Sequence, residues 1–183
     1  MKSTRLTAVA VALVLSFAGA PAFAQVTVGG APMYANKDIV DNAVNSKDHT
    51  TLVAAVKAAG LVDTLKSAGP FTVFAPTNMA FTALPAGTVD TLLMPQNKPM
   101  LTNVLTYHVV PGRLDAAALM AQIKAGNGKA MLKTVEGKML AATARGNTII
   151  LTDAKGGVST VTTADVYQSN GVIHVVDKVL LPG

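Results

Sequence analysis

The stretch Gly69-Pro70-Phe71-Thr72-Val73-Phe74-Ala75-Pro76-Thr77-Asn78-Met79-Ala80-Phe81 contains the signals for a turn, a strand and a helix in direct succession. Gly69-Pro70 interrupts a helical pattern, and the apolar residues that follow predict a strand over 71–74. Pro76 lacks a backbone N–H and is expected to stop sheet pairing. Thr77 or Asn78 is expected to cap the next helix.

A second turn and strand, Asn170-Gly171-Val172-Ile173-His174-Val175-Val176-Asp177, lies near the end of the chain. Between the two stretches the sequence pattern changes at Gly128, from helical periodicity to segments rich in Thr, Val and Ile. Strands are predicted near 130–135, 139–144, 148–152, 158–163 and 172–180, as an antiparallel meander. Helices followed by strands in one chain are typical of an α+β fold.

Several residues are candidates for the ends of the predicted helices. A polar side chain at a helix start accepts a hydrogen bond from a free backbone N–H, and a glycine tolerates the left-handed conformation at a helix end. The predicted N-caps are Asp38, Thr50 or Thr51, Asn97 and Asp115, and the predicted ends are Gly60 and Gly126.

The first residues have the three parts of a secretory signal peptide. Lys2 and Arg5 are basic, residues 6–18 are apolar, and Ala22-Phe23-Ala24 is a small-x-small cleavage site. We predict cleavage after Ala24, a polar leader over 25–37 and one domain over 38–183. The apolar run is too short for an integral membrane anchor, so the product is expected in the periplasm or outside the cell.

Composition restricts the classes of function. The formal charge of +5 falls to +3 once Lys2 and Arg5 are removed, which does not favour nucleic acid as a partner. The absence of cysteine excludes disulfides, thiol chemistry and cysteine-bound zinc. We expect a monomer without a cofactor.

Three segments together carry a resemblance to the fasciclin domain family, over about 38–182. Residues 72–81 resemble its first signature, Tyr107-His108-Val109-Val110-Pro111-Gly112 resembles its tyrosine–histidine segment, and residues 170–177 resemble its second signature. The resemblance implies a wedge-shaped antiparallel β-sandwich flanked by short helices, in a secreted or cell-surface adhesion protein. The absence of a glycosylation sequon favours a single-domain bacterial member.

The resemblance also implies partner-binding positions. In animal adhesion members an Asp-Ile pair before the second signature and the tyrosine–histidine segment are implicated in receptor binding. By position these fall on Asp165-Val166, where valine replaces isoleucine, and on Tyr107-His108. From the residues alone, a core ring is favoured for Tyr107 and an ordinary turn residue for Asp165.

His108 and His174 are the clearest candidates for a chemical site, but their apolar neighbours favour buried imidazoles bonded to the backbone. His49, His108 and His174 lack the spacing of a local metal cluster, so no metal is expected. Glu136 is the one glutamate, which excludes a glutamate pair for glycoside hydrolysis, and no nucleophile or phosphate-loop motif is present.

Five basic residues lie between positions 124 and 145, where Glu136 is the one acidic residue: Lys124, Lys129, Lys133, Lys138 and Arg145. Their pattern is typical of a solvated hairpin, with weak attraction to anionic polysaccharide or lipid as the alternative. The resemblance, together with the missing catalytic motifs, implies a non-enzymatic adhesion domain that binds a cell-surface or extracellular protein or glycan. The alternative is a periplasmic carrier of a small apolar or anionic ligand.

Overall fold

The computed structural model describes residues 25–183. The predicted signal peptide, residues 1–24, lies outside the described residues. The helices are α1 (Ile39–Ala43), α2 (Thr50–Ala59), α3 (Val62–Lys66), α4 (Asn78–Thr82), α5 (Thr88–Leu93), α6 (Lys98–Tyr107) and α7 (Ala116–Ala125). The strands are β1 (Thr27–Val28), β2 (Ala31–Pro32), β3 (Phe71–Pro76), β4 (Val109–Pro111), β5 (Lys129–Lys133), β6 (Met139–Arg145), β7 (Thr148–Thr152), β8 (Val158–Gln168) and β9 (Gly171–Val176).

The main sheet has seven strands in the order β4-β3-β9-β8-β7-β6-β5. The antiparallel meander predicted for β5 to β9 is confirmed, and β3 adds to it in parallel beside β9. After β5, the backbone N–H of Val135 donates to the Val109 carbonyl at 2.8 Å. The sheet therefore curls until its two edges nearly meet, which confirms an α+β, fasciclin-like fold.

The two faces of β3 and β9 pack against different parts of the core. Val73 and Ile173 belong to the cluster under the N-terminal helices, whereas Phe74 and Val176 belong to the cluster under α7 and the meander. This division follows from the two-residue period of side chains along a strand. Both strands are buried on both faces, which explains their continuous apolar sequence.

β3 is longer than the strand over 71–74 that the sequence predicted. Pro76 stands opposite Val176 in the parallel register, and the next residue, Thr77, donates its backbone N–H to the Val176 carbonyl at 3.3 Å. The strand extends two residues beyond position 74, and its pairing ends at Pro76 as expected. A proline interrupts a ladder only where its missing N–H would have been the donor.

Most helix ends follow the predicted caps. Side chains of Asp38, Thr77 and Asp115 accept hydrogen bonds from the first turns of α1, α4 and α7. Gly60 ends α2 with a φ of 73°. The capping bonds predicted for Thr50 or Thr51 and for Asn97 were wrong, because α2 and α6 have no side-chain cap bond at the N-cap position. Asn97 donates instead to the Thr91 carbonyl at 2.6 Å.

The segment predicted as a polar leader contains the β1–β2 hairpin, with Val28 and Met33 buried in the core. Gly29 has a φ of +58°, and a Cβ there would come within 2.4 Å of the Ser46 hydroxyl oxygen. This close approach requires glycine, and it allows the hairpin to pack against the segment that contains Ser46.

Candidate functional site

Two irregularities in β8 set the position of Asp165. The pairing of β8 with β9 shifts register between Val161 and Thr163 and again between Thr163 and Val166. Within the second shift Asp165 adopts a left-handed φ of 60°, a conformation that aspartate tolerates better than most residues. A bulge of this kind turns a side chain away from the regular alternation of the strand.

The Asp165 carboxylate reaches the N-terminus of α7. It accepts a hydrogen bond from the Ala116 backbone N–H at 2.7 Å. Asp115 caps the same helix by accepting from the Ala118 N–H at 2.8 Å. Two carboxylates thus converge on free N–H groups and on the positive end of the helix dipole, which stabilises both charges.

A shallow groove of about 210 Å³ lies beside Asp165. Its wall combines β8 with the hairpin segment, and the lining residues are Gln25, Val26, Met33, Tyr34, Ala35, Asp165, Val166 and Tyr167. The side chain of Tyr34 is 41% exposed, and the Lys37 ammonium lies 5.0 Å from its ring centroid. The groove therefore offers a carboxylate and two phenols next to an apolar floor.

Charge around the groove affects the phenol of Tyr167. Burial raises its pKa, and the carboxylates of Asp165 and Asp115 raise it further, while Arg113 acts in the opposite direction. A side-chain hydrogen bond between the phenol and Asp115 also raises this pKa, so the phenol keeps its proton at neutral pH. Arg113 is held in place by donating to the Gln168 carbonyl at 3.0 Å.

The structure brings two of the four predicted site residues to this groove. Asp165 lines it with a partly exposed side chain, whereas Val166 is 1% exposed and contributes to its floor. Tyr107 and His108 do not line it, and both side chains are buried. Their proposed contribution to partner binding stays a prediction, and their burial restricts it to supporting the scaffold.

Tyr107 joins α6 to two parts of the meander. Its hydroxyl donates to the Met139 carbonyl at 3.0 Å and accepts from the Ala154 N–H at 3.1 Å. Burial raises its pKa, partly offset by the Ala154 hydrogen bond. The prediction of a core ring with a bonded hydroxyl is confirmed.

His108 and His174 have the buried, backbone-bonded environments that were predicted. The Leu180 N–H donates to His108 Nε2 at 2.9 Å, so Nδ1 donates to the Val104 carbonyl at 2.7 Å. His174 has the opposite tautomer, since Asp165 N–H donates to Nδ1 at 3.4 Å and Nε2 lies 2.7 Å from the Leu114 carbonyl. Burial lowers the pKa of both, for His108 to about 4.

Sequence reasoning missed Tyr34 and Tyr167. Tyr167 could have been found, because it lies two residues beyond Asp165 and side chains two apart on a strand share a face. Tyr34 could not, since residues 25–37 carry no strong periodic signal and were assigned to a leader.

Other candidate sites are less developed. Within residues 25–183 no group of three or more His, Asp or Glu side chains could hold a metal ion. Over the same range no helix has the length and apolar character needed to cross a bilayer. The five basic residues on either side of Glu136 in the sequence are all exposed. The Lys138 ammonium lies 3.9 Å from the Glu136 carboxylate.

Comparison with known proteins places this architecture in a family. A model described as the fasciclin domain matches residues 47–182. Protein sll1483 of Synechocystis sp. is 49% identical over 146 residues, covering 79% of this chain and 73% of that protein. Immunogenic protein MPB70 of Mycobacterium bovis is 38% identical over 148 residues, covering 76% of this chain and 66% of that protein.

The fold also matches a solved structure. A FAS1 domain pair from the insect cell adhesion molecule fasciclin I aligns with a TM-score of 0.69 at 18% identity, covering 79% of this chain and 51% of that chain. This likeness concerns the fold alone. From the family match and the two sequence relatives together, we conclude that the chain belongs to the fasciclin domain family.

Proposed function

We propose that this protein is an exported, non-enzymatic adhesion domain that binds a cell-surface or matrix protein or glycan through the groove beside Asp165. The observation that carries the proposal is the combination of Tyr34, Tyr167 and the Asp165 carboxylate around one concave surface. Tyrosines at such surfaces supply apolar area and a hydrogen-bonding hydroxyl at low conformational cost. A carboxylate adds a directional acceptor for an ammonium, guanidinium or sugar hydroxyl.

Membership of the fasciclin family supports the proposal, as does the fold shared with an insect cell adhesion molecule. The roles of the imidazoles support a non-enzymatic function. His108 and His174 hydrogen-bond backbone groups of distant segments and do not line the groove. Residues 38–183, together with the preceding hairpin segment that supplies Tyr34 to the groove, would form the binding domain. We place it as a monomer in the periplasm or outside the cell after cleavage following Ala24.

The test must separate loss of binding from loss of folding. Asp165→Asn keeps an amide oxygen to accept from Ala116 and tolerates the left-handed backbone, yet removes the charge. We expect it to weaken attachment of the purified protein to cells about tenfold, which corresponds to the loss of one charged hydrogen bond. Tyr34→Ala should weaken attachment comparably. Asp90→Asn, at an exposed aspartate outside the groove, is the matched control.

The class of partner follows from treating the cells. Protease digestion should abolish attachment if the partner is a protein, and periodate oxidation should abolish it if the partner is a glycan. The proposal fails if Asp165→Asn and Tyr34→Ala both remain folded by circular dichroism and attach as strongly as the unsubstituted protein.

A further inference from the structure

The meander of β5 to β8 has an outer face that is turned away from the core. Leu132 and Leu140 stand opposite each other and point inward, as do Ala142 and Leu151, in the core cluster under α7. Side chains alternate along a strand, so the residues between these positions point outward. The outer face consists of the outward residues of β5, β6 and β7 and of β8 as far as Thr160.

The outer face carries basic side chains. Lys129 and Lys133 lie on β5 and Arg145 lies at the end of β6, and all three are exposed. Within residues 25–183 none of the three forms an ion pair. Their charges are therefore available to an anionic partner.

The carboxylates nearest in sequence do not cancel this charge. No outward position on the outer face is Asp or Glu. Glu136, in the turn between β5 and β6, lies 3.9 Å from the Lys138 ammonium. Asp153, in the turn between β7 and β8, is buried and accepts backbone N–H groups, and the exposed Lys155 follows it in the same turn. Each carboxylate thus has its own basic neighbour, and the outer face keeps a positive charge.

Exposed apolar side chains lie among the basic ones. Met131 is 50% exposed and lies between Lys129 and Lys133 on the same side of β5. Met139 is 43% exposed and stands directly opposite Lys133. Val158, on β8, is exposed as well, and the other outward positions are Ala, Thr or Ile. Exposed apolar area beside lysines marks a surface that binds something both anionic and apolar.

A bilayer surface fits this combination better than an anionic sugar or an acidic protein. A sugar would neutralise the lysines but leave Met131 and Met139 in water. The core of a protein interface is enriched in aromatic residues and depleted of lysine, whereas the outer face has two lysines and no aromatic residue. At a bilayer, lysine stems cross the apolar boundary while their ammonium groups reach the headgroups. Flexible methionine side chains fill irregular apolar surroundings, as the acyl boundary requires.

We propose that the outer face binds reversibly to the surface of a bilayer that contains anionic lipid. Met131 and Met139 enter the boundary of the acyl chains, and Lys129, Lys133 and Arg145 contact the headgroups. The strength of such binding follows the buried apolar area and the attraction to anionic lipid. This proposal does not depend on the adhesion proposal, because the outer face shares no residue with the groove.

Co-sedimentation of the purified protein with vesicles tests the proposal. One set of vesicles is pure phosphatidylcholine, and the other contains equal parts of phosphatidylcholine and phosphatidylglycerol. We expect binding to the anionic vesicles only. Each basic residue near an anionic surface strengthens binding about fivefold, so Lys129→Gln/Lys133→Gln should weaken it about 25-fold. The control Lys47→Gln/Lys57→Gln makes the same change of net charge at exposed lysines among the N-terminal helices and should have little effect.

A second pair of variants tests the apolar contribution. Met131→Gln/Met139→Gln should weaken binding to the anionic vesicles about tenfold, because the apolar area that enters the boundary is lost. Met79→Gln/Met100→Gln makes the same change at exposed methionines of α4 and α6 and should bind like the unsubstituted protein. Raising the NaCl concentration from about 0.1 M to about 1 M should also weaken binding, because the screening length falls from about 10 Å to about 3 Å.

Two checks keep the comparison clear. All variants must have the same N-terminus by mass spectrometry, so that any lipid binding by residues 6–18 is equal in all of them. Circular dichroism must show that all are folded. Asp165→Asn, which should weaken attachment to cells, should bind vesicles no more weakly than the unsubstituted protein. The tests of the groove and of the outer face therefore fail separately.

The proposal is overturned if the protein binds neither kind of vesicle or binds both equally. It is also overturned if either variant of the outer face binds anionic vesicles like its control. Retention on dextran sulfate that the lysine variant loses and the methionine variant keeps, without binding to vesicles, would assign the outer face to an anionic polysaccharide instead.

Discussion

The Asp165 carboxylate accepts a hydrogen bond from the Ala116 backbone N–H at 2.7 Å, across 49 residues of sequence. This contact joins the bulge of β8 to the first turn of α7. It gives one side chain two roles, since the same carboxylate also lines the groove. Substitutions at Asp165 therefore have to be compared by stability as well as by binding.

We expect Asp165→Ala to lower the free energy of unfolding by about 1–2 kcal/mol, because the Ala116 N–H loses its acceptor and the left-handed backbone suits alanine poorly. Asp165→Asn should cost less than half of this, since the amide oxygen replaces the carboxylate oxygen. Urea denaturation measures both. Equal losses for the two variants would show that the hydrogen bond to Ala116 contributes little.

Tyr107→Phe should destabilise the fold by about 1–2 kcal/mol, because the Met139 carbonyl and the Ala154 N–H lose their shared partner. Since the ring is buried, we expect attachment to cells to fall only in proportion to the unfolded fraction. Measuring attachment well below the melting temperature tests this. A loss of attachment by fully folded Tyr107→Phe would instead assign the hydroxyl a direct role.

Acid should unfold the protein through its buried imidazoles. The folded-state pKa values of His49, His108 and His174 are all lowered by burial. The unfolded chain therefore binds more protons, and the stabilisation that is complete above about pH 6.5 is lost as the pH falls. For His108 the loss continues to a pKa of about 4, with a limiting slope of about 1.4 kcal/mol per pH unit.

Denaturation at several pH values between 7 and 4 measures this slope, and His108→Gln should reduce it by close to one proton. The physical cause is burial of the imidazole, and protonation would also break the bond from Leu180 N–H to Nε2. A slope that His108→Gln leaves unchanged would contradict the assignment.

Asn170→Ala should be among the most damaging polar substitutions, at about 2–3 kcal/mol. The side chain accepts from the Ile39 N–H at 3.1 Å and donates to the carbonyls of Leu65 and Ser67 at 2.7 and 3.0 Å. Asn170→Asp keeps the acceptor but places a carboxylate oxygen against the carbonyls of Leu65 and Ser67, so it should be at least as damaging as Asn170→Ala. Thermal unfolding measures both variants, and a clearly higher melting temperature for Asn170→Asp than for Asn170→Ala would contradict this account.

Local sequence signals predicted the elements whose ends are set by their own residues. Asp38, Thr77 and Asp115 begin helices because each cap bond spans three residues. Asn97 failed as a cap because the Thr91 carbonyl, outside its own helix, offered another partner. Asp165 was a candidate through the family resemblance alone, whereas no local signal pointed to its partner Ala116, which is 49 residues away.

The sequence by itself determined the α+β class, the order of helices and strands, and the burial of His108 and His174, because hydrophobic periodicity and capping act over a few residues. The tertiary structure alone decided which residues share a surface. Tyr34 and Tyr167 line the same groove because segments more than a hundred residues apart pack together. His49 lines an apolar cavity for a similar reason, since the helices pack against the sheet. Such contacts depend on how the sheet curls and where the hairpin packs, and no local pattern encodes either.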